Sequence, residues 1–86
     1  MLFNTFSFDQ AFLFLVKEKE KVTHAIQVCY DLNEENKGRE VDGMLEALDK
    51  FKLDSGLILT YKQEDEFEKD GKIIKVLPVW KWLMEI

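Results

Sequence analysis

Ala25-Ile26-Gln27-Val28-Cys29-Tyr30-Asp31, with the apolar run Phe12-Leu13-Phe14-Leu15-Val16 ahead of it, decides the fold of this 86-residue chain. Val22 to Tyr30 is rich in Val, Thr, Ile and Tyr, which suit a pleated, half-buried surface. Side chains alternate across a strand. His24, Ile26, Val28 and Tyr30 therefore face one way, and Thr23, Ala25, Gln27, Cys29 and Asp31 the other. Between Phe6 and Val16 the first half alternates apolar with polar, while the second half is apolar on both faces, as in a strand covered on each side. The run Lys17-Glu18-Lys19-Glu20-Lys21 reads as a solvated turn between the two strands, its charges discouraging mispairing.

The period then changes. Val41, Met44, Leu45, Leu48 and Phe51 form one stripe of an α-helix that follows a loop over 33–38. Glu40, Asp42, Glu46, Asp49 and Lys50 fall on the opposite face, expected to be solvated. Gly43 costs about 1 kcal/mol relative to Ala at such a place, or allows close approach to the sheet. Gly56, in Asp54-Ser55-Gly56, suits the left-handed residue that ends a helix or forms a turn. Leu57 to Tyr61 is apolar enough for an internal strand, and strand–helix–strand with short loops reads as a right-handed crossover between parallel strands. Asp70-Gly71 signals a hairpin between strands over 66–69 and 72–77. Pro78 breaks the second of these and starts a helical turn over 79–84.

With no internal repeat or linker, residues 1–86 are expected to form a single α/β domain, in which 1–9 serve as an extended arm or strand extension. Its sheet is mixed, of about five strands, with one crossover helix and a C-terminal helical turn. The expected core is Phe12, Phe14, Ile26, Val28, Leu45, Leu48, Leu57, Leu59, Ile74, Val76 and Trp80.

Composition narrows the function. A net charge of −5 disfavours general affinity for phosphate backbones, which rests on Lys and Arg displacing counterions. Cys29 stands alone, so neither an intramolecular disulfide nor a multi-cysteine zinc site can form. That lone thiol, with no signal-peptide pattern at the start, points to the cytoplasm. The longest apolar run, 11–16, is far short of the roughly 20 residues that span a bilayer, so no membrane association is expected.

One spacing bears on chemistry. Metal-dependent nucleases of the PD-(D/E)XK class need an Asp on one strand, and an acid or Gln two residues before a Lys on its neighbour. The acids hold Mg²⁺, which polarises the phosphate and acidifies the attacking water, while the Lys stabilises developing charge. Here Gln27 and Cys29 have the paired spacing, and Leu13 stands where the Asp is expected. Cys supplies no fixed positive charge. Asp9 shares the parity of Leu13 but lies four residues early, roughly 13 Å along a strand.

Several blocks carry a family resemblance: Ile26-Gln27-Val28-Cys29-Tyr30-Asp31, Arg39-Glu40, Leu45-Glu46-Ala47-Leu48, Gly56-Leu57-Ile58-Leu59-Thr60 and Val76-Leu77-Pro78-Val79-Trp80-Lys81-Trp82-Leu83. From Ala11 onward the chain resembles the C-terminal, restriction-endonuclease-like domain of a family of archaeal and bacterial AAA-type ATPases. That resemblance implies a nuclease-like core, truncated here because 1–9 is too short to supply the leading helix. Family members commonly read Glu-Val-Asp-Phe where this chain has Ala11-Phe12-Leu13-Phe14, so the acidic pair is gone. The Gly-x-x-x-x-Gly-Lys-Ser/Thr loop of the ATPase is absent as well.

The expectation is therefore a catalytically inactive, nuclease-like accessory or interaction module, not an enzyme. Leu13, Gln27 and Cys29 mark its degenerate motif, with no catalytic residue, metal or cofactor. Its partner is a protein or a second copy, with Phe6 and Phe8 as a partner surface. Two alternatives remain open: a nucleic-acid-binding module of an ATPase system, if Lys17, Lys19, Lys21, Lys62 and Lys81 cluster, or a nuclease with a non-standard site using Asp9 or Asp31 with Gln27. His24, Cys29, the Trp80/Trp82 pair and the acidic run over 64–66 read more simply as packing or solvated surface.

Overall fold

Alternation of period 2 gives way to period 3.6 and back again, and the chain follows it. The computed structural model describes residues 2–8 and 11–85, with side chains from Leu13 onward. Strands β1 (Leu2–Phe8), β2 (Ala11–Glu18) and β3 (Lys21–Cys29) are followed by helix α1 (Lys37–Lys50), strands β4 (Ser55–Thr60), β5 (Asp65–Lys69) and β6 (Lys72–Pro78), and helix α2 (Val79–Glu85). The described strands form one sheet in the order β1-β2-β3-β4-β6-β5. β3, β4 and β6 run parallel, and the flanking pairs β1–β2, β2–β3 and β5–β6 are antiparallel.

This is the expected α/β fold with a crossover helix between parallel strands. The sheet has six strands because the segment read as one strand from Phe6 to Val16 belongs to two, β1 and β2, paired antiparallel. Residues 2–8 are thus an edge strand in their own right. The side chains of Phe6, Phe8 and Phe12, and Asp9 as a whole, lie outside the described part; the register sets Phe6 opposite Leu13 and Phe8 opposite Ala11.

The turns follow local chemistry. Asp70 (φ 53°) and Gly71 (φ 78°) both take positive φ, as a two-residue type I′ hairpin requires. α1 ends differently from expectation. Leu53 N–H donates to the Leu48 carbonyl (2.8 Å) and Lys52 N–H to the Asp49 carbonyl (3.3 Å), with Lys52 itself at φ 57°. That is a Schellman ending with Lys in the left-handed place where Gly is usual. Gly56 lies inside β4 instead, and its role is steric: a Cβ there would sit 2.5 Å from Met44 Sδ and 3.2 Å from Leu48 Cδ2. Close approach of helix to sheet is made at Gly56 and not at Gly43, which has open space around it.

The largest correction concerns which side of the sheet α1 covers. The buried cluster joins Leu13, Leu15, Ala25, Cys29, Ile58, Ile74 and Val76 to Val41, Met44, Ala47 and Leu48 of α1. The helix therefore lies on the odd face of β2 and β3, whereas the core residues expected on those strands, Phe12, Phe14, Ile26 and Val28, are on the even face. Of the predicted core, Leu48, Leu59, Ile74 and Val76 are buried, whereas Phe14, Ile26, Leu45 and Leu57 are half-buried and Val28 is exposed. Trp80 is 57% exposed. Small side chains at Ala25, Ala47 and Gly56 let the helix come down onto this face, and the bulky Met44 and Leu48 fill the gap between them.

Candidate functional site

The register of β2 against β3 sets Leu13 directly opposite Gln27, with Cys29 two residues further along the same face. The three motif positions are thus brought together, and all three are buried beneath or beside α1. Gln27 Nε2 donates to Glu40 Oε1 and to the Glu40 carbonyl (3.2 Å). Glu40, placed on the solvated face by its sequence, is 2% exposed. Its second oxygen, Oε2, faces Arg39 Nε at 3.5 Å, and that guanidinium is half-exposed. The first turn of α1 is pinned to β3 by a carboxylate whose two oxygens both have partners.

Glu40 is the residue that sequence reasoning missed. The stripe anchored on Val41, Leu45 and Phe51 put it outward, but the buried positions are Glu40, Val41, Met44, Ala47 and Leu48. The small residue Ala47, seven after Glu40 and buried on the same face, was the available signal.

Cys29 cannot stand in for a motif lysine. Its Sγ–H lies 3.5 Å from the Asp31 carbonyl. Burial, and then the negative charge of Glu40, push the thiol above its ordinary value, so it is neutral at pH 7. A cleft of about 320 Å³ runs beside α1, with Leu13 and Gln27 from the sheet and Arg39, Glu40 and Gly43 from the helix among its walls. Among the described residues, no three His, Cys, Asp or Glu side chains lie close enough together to hold a metal ion.

The remaining candidates separate. Lys17, Lys19 and Lys21 belong to the β2–β3 turn, while Lys62 follows β4, which runs parallel to β3. The two groups sit at opposite ends of the sheet, roughly 30 Å apart along a nine-residue strand. Lys81 is paired with Glu64 at 2.6 Å. The acidic run over 64–66 is exposed, with Asp65 Oδ1 accepting from Glu66 N–H (2.8 Å). His24 is exposed and lies 3.0 Å from Thr23 Oγ1. Trp82, half-buried, lines a groove with Leu57, Ile73 and Leu77, so it anchors α2 while Trp80 points away.

Among the described residues, the side of the sheet opposite α1 is covered only at one end, by α2. Among the described residues, every exposed large apolar side chain belongs to this side or to α2. Val28 and Ile73 lie on the strands. At the strand ends Tyr30 (64% exposed) and Tyr61 (58%) stack with ring centroids 5.2 Å apart. Gln63 clamps the two loops behind them, accepting from Leu32 N–H (2.7 Å) and donating to the Leu32 carbonyl (2.6 Å). α2 adds Val79, Trp80, Leu83 and Met84.

No protein-family model matches the chain, and no solved structure matches it. Among curated proteins it is similar to an uncharacterised protein of Methanocaldococcus jannaschii, 41% identical over an alignment of 83 positions that covers 88% of this chain. The matched part is 18% of that relative, so the chain spans less than a fifth of its length.

Proposed function

We propose that this domain is a catalytically inactive, nuclease-like interaction module of the kind joined to AAA-type ATPases, and that it binds protein or a second copy of itself. One observation carries the reading. Leu13, Gln27 and Cys29, the positions that would hold metal and stabilise charge, are buried, and the Gln27 amide is engaged by Glu40. Neither Leu nor a neutral thiol supplies the chemistry, and the one polar group of the three, the Gln27 amide, is already engaged. Similarity to part of a relative more than five times longer supports an accessory role. The lone buried thiol supports a reducing, cytoplasmic setting; no helix among the described residues is long and apolar enough to cross a membrane.

The test is fluorescence anisotropy of labelled duplex and single-stranded DNA at low salt, with and without Mn²⁺, beside a plasmid-nicking assay. The expected outcome is neither salt-sensitive binding nor cleavage. Metal-dependent cleavage that disappears in a folded Gln27→Ala variant overturns the reading.

A further inference from the structure

Deepening the interaction reading above, and resting on it, we propose that a second copy of this chain packs on the side of the sheet opposite α1, in a two-fold dimer centred on Trp80, Leu83 and Met84 of α2. These three residues are spaced i, i+3, i+4 and form one stripe on the helix. Trp82, on the opposite side of the helix, is the residue that meets the sheet. The stripe therefore points outward: Trp80 is 57% and Met84 79% exposed. A surface helix ordinarily turns its apolar stripe inward, and this one presents it to whatever lies beyond.

Three features favour a second copy as the occupant. The first is area. Three partly uncovered aromatic rings, of about 150–250 Å² each, and five aliphatic side chains offer on the order of 800 Å², the share one partner contributes to a standard interface. Monomers seldom leave a patch of that size open.

The second is self-complementarity. A two-fold axis that sets α2 antiparallel to its mate places Trp80 over the other copy's Leu83 and Met84. The third is the sheet itself. β3, β4 and β6 are parallel, and parallel strands are found with both faces covered. A mate placed here supplies the second layer.

Sedimentation velocity over a wide concentration range, at near-physiological salt, tests the dimer. Wild type is expected to sediment as a concentration-dependent dimer. Leu83→Glu and Trp80→Glu, both at exposed positions, are expected to keep the far-ultraviolet dichroism of wild type while the dimer dissociation constant rises on the order of 30-fold. A wild-type monomer at the highest concentration reached overturns the proposal. So does a dimer that survives both Glu variants but dissociates in Ser7→Pro, which would place the contact at the β1 edge. The two readings fail separately: a monomer that neither binds nor cuts DNA refutes the dimer and leaves an interaction module with a foreign partner. A chain that cuts DNA refutes the module, whatever its oligomeric state.

Discussion

Beneath α1 the sheet offers Ala25, Cys29 and Gly56 to Met44 and Leu48, whereas on the other side, among the described residues, Ile26, Val28 and Leu57 have only the seven residues of α2 for cover. On the covered side the small residues lie among large ones, Leu13, Leu15, Ile58, Ile74 and Val76. The covered side alternates small and large residues, so the helix comes close and the space is filled. The open side carries large aliphatic and aromatic side chains that no described element fills. The covered side also buries a polar pair, Gln27 with Glu40, while the other side stays apolar.

The sharpest way to break the covered side is to remove one member of its polar pair. Gln27→Leu leaves the Glu40 carboxylate buried with Arg39 alone beside it, at an expected cost of about 3 kcal/mol in urea unfolding. The double variant Gln27→Leu, Glu40→Leu is expected to recover most of the loss, because both polar groups leave together. A polar replacement on the open side, Met84→Ser, is expected to move the stability of the monomer by no more than about 0.5 kcal/mol. If Gln27→Leu is as mild as Met84→Ser, the pair does not hold the helix down.

Next in size is the close approach. Gly56→Ala puts a methyl group 2.5 Å from Met44 Sδ, a side chain with no exposure of its own to retreat into, and is expected to cost about 1–3 kcal/mol. Gly43→Ala, on the same helix but facing open space, is expected to raise stability by about 0.5–1 kcal/mol through helix propensity alone. Opposite signs at two glycines, measured by the same unfolding curve, would locate the contact; equal signs would remove the argument from size.

Much of this architecture is legible in the residues, and the illegible part has a common cause. The hairpin at Asp70-Gly71 announces itself because both positions need positive φ. No such glycine separates Phe8 from Ala11 in the sequence, so nothing there signals that β1 and β2 are two strands. Period alone places the strands and the helix, but β3 is apolar on both faces, so alternation does not say which face takes the helix. Ile26 and Val28 look like the core because they are large; Ala25 and Cys29 are the core because they are small enough to be approached. The same inversion hides Glu40: a charged residue reads as solvated unless its partner is known, and Gln27 becomes that partner only once the face is known.

The faintest expected effect probes the seal itself through Cys29. An ordinary thiol loses its proton near 9.0, and burial with the nearby Glu40 charge raises that value in the folded chain. Above 9.0 the unfolded state therefore gives up its proton first, and the equilibrium moves toward unfolding until the pH has passed the folded value. The contribution of Cys29 is present in full below 9.0 and lost as the pH climbs beyond it. Cys29→Ala lacks the group, so its stability, although lower at neutral pH because of the atoms removed, should decline less steeply on the alkaline side. Tyr and Lys titrate in the same range in both proteins, and the difference between the two curves isolates the thiol. Parallel curves would mean that the thiol meets solvent in the folded chain much as it does in the unfolded one, and that α1 does not close the motif face.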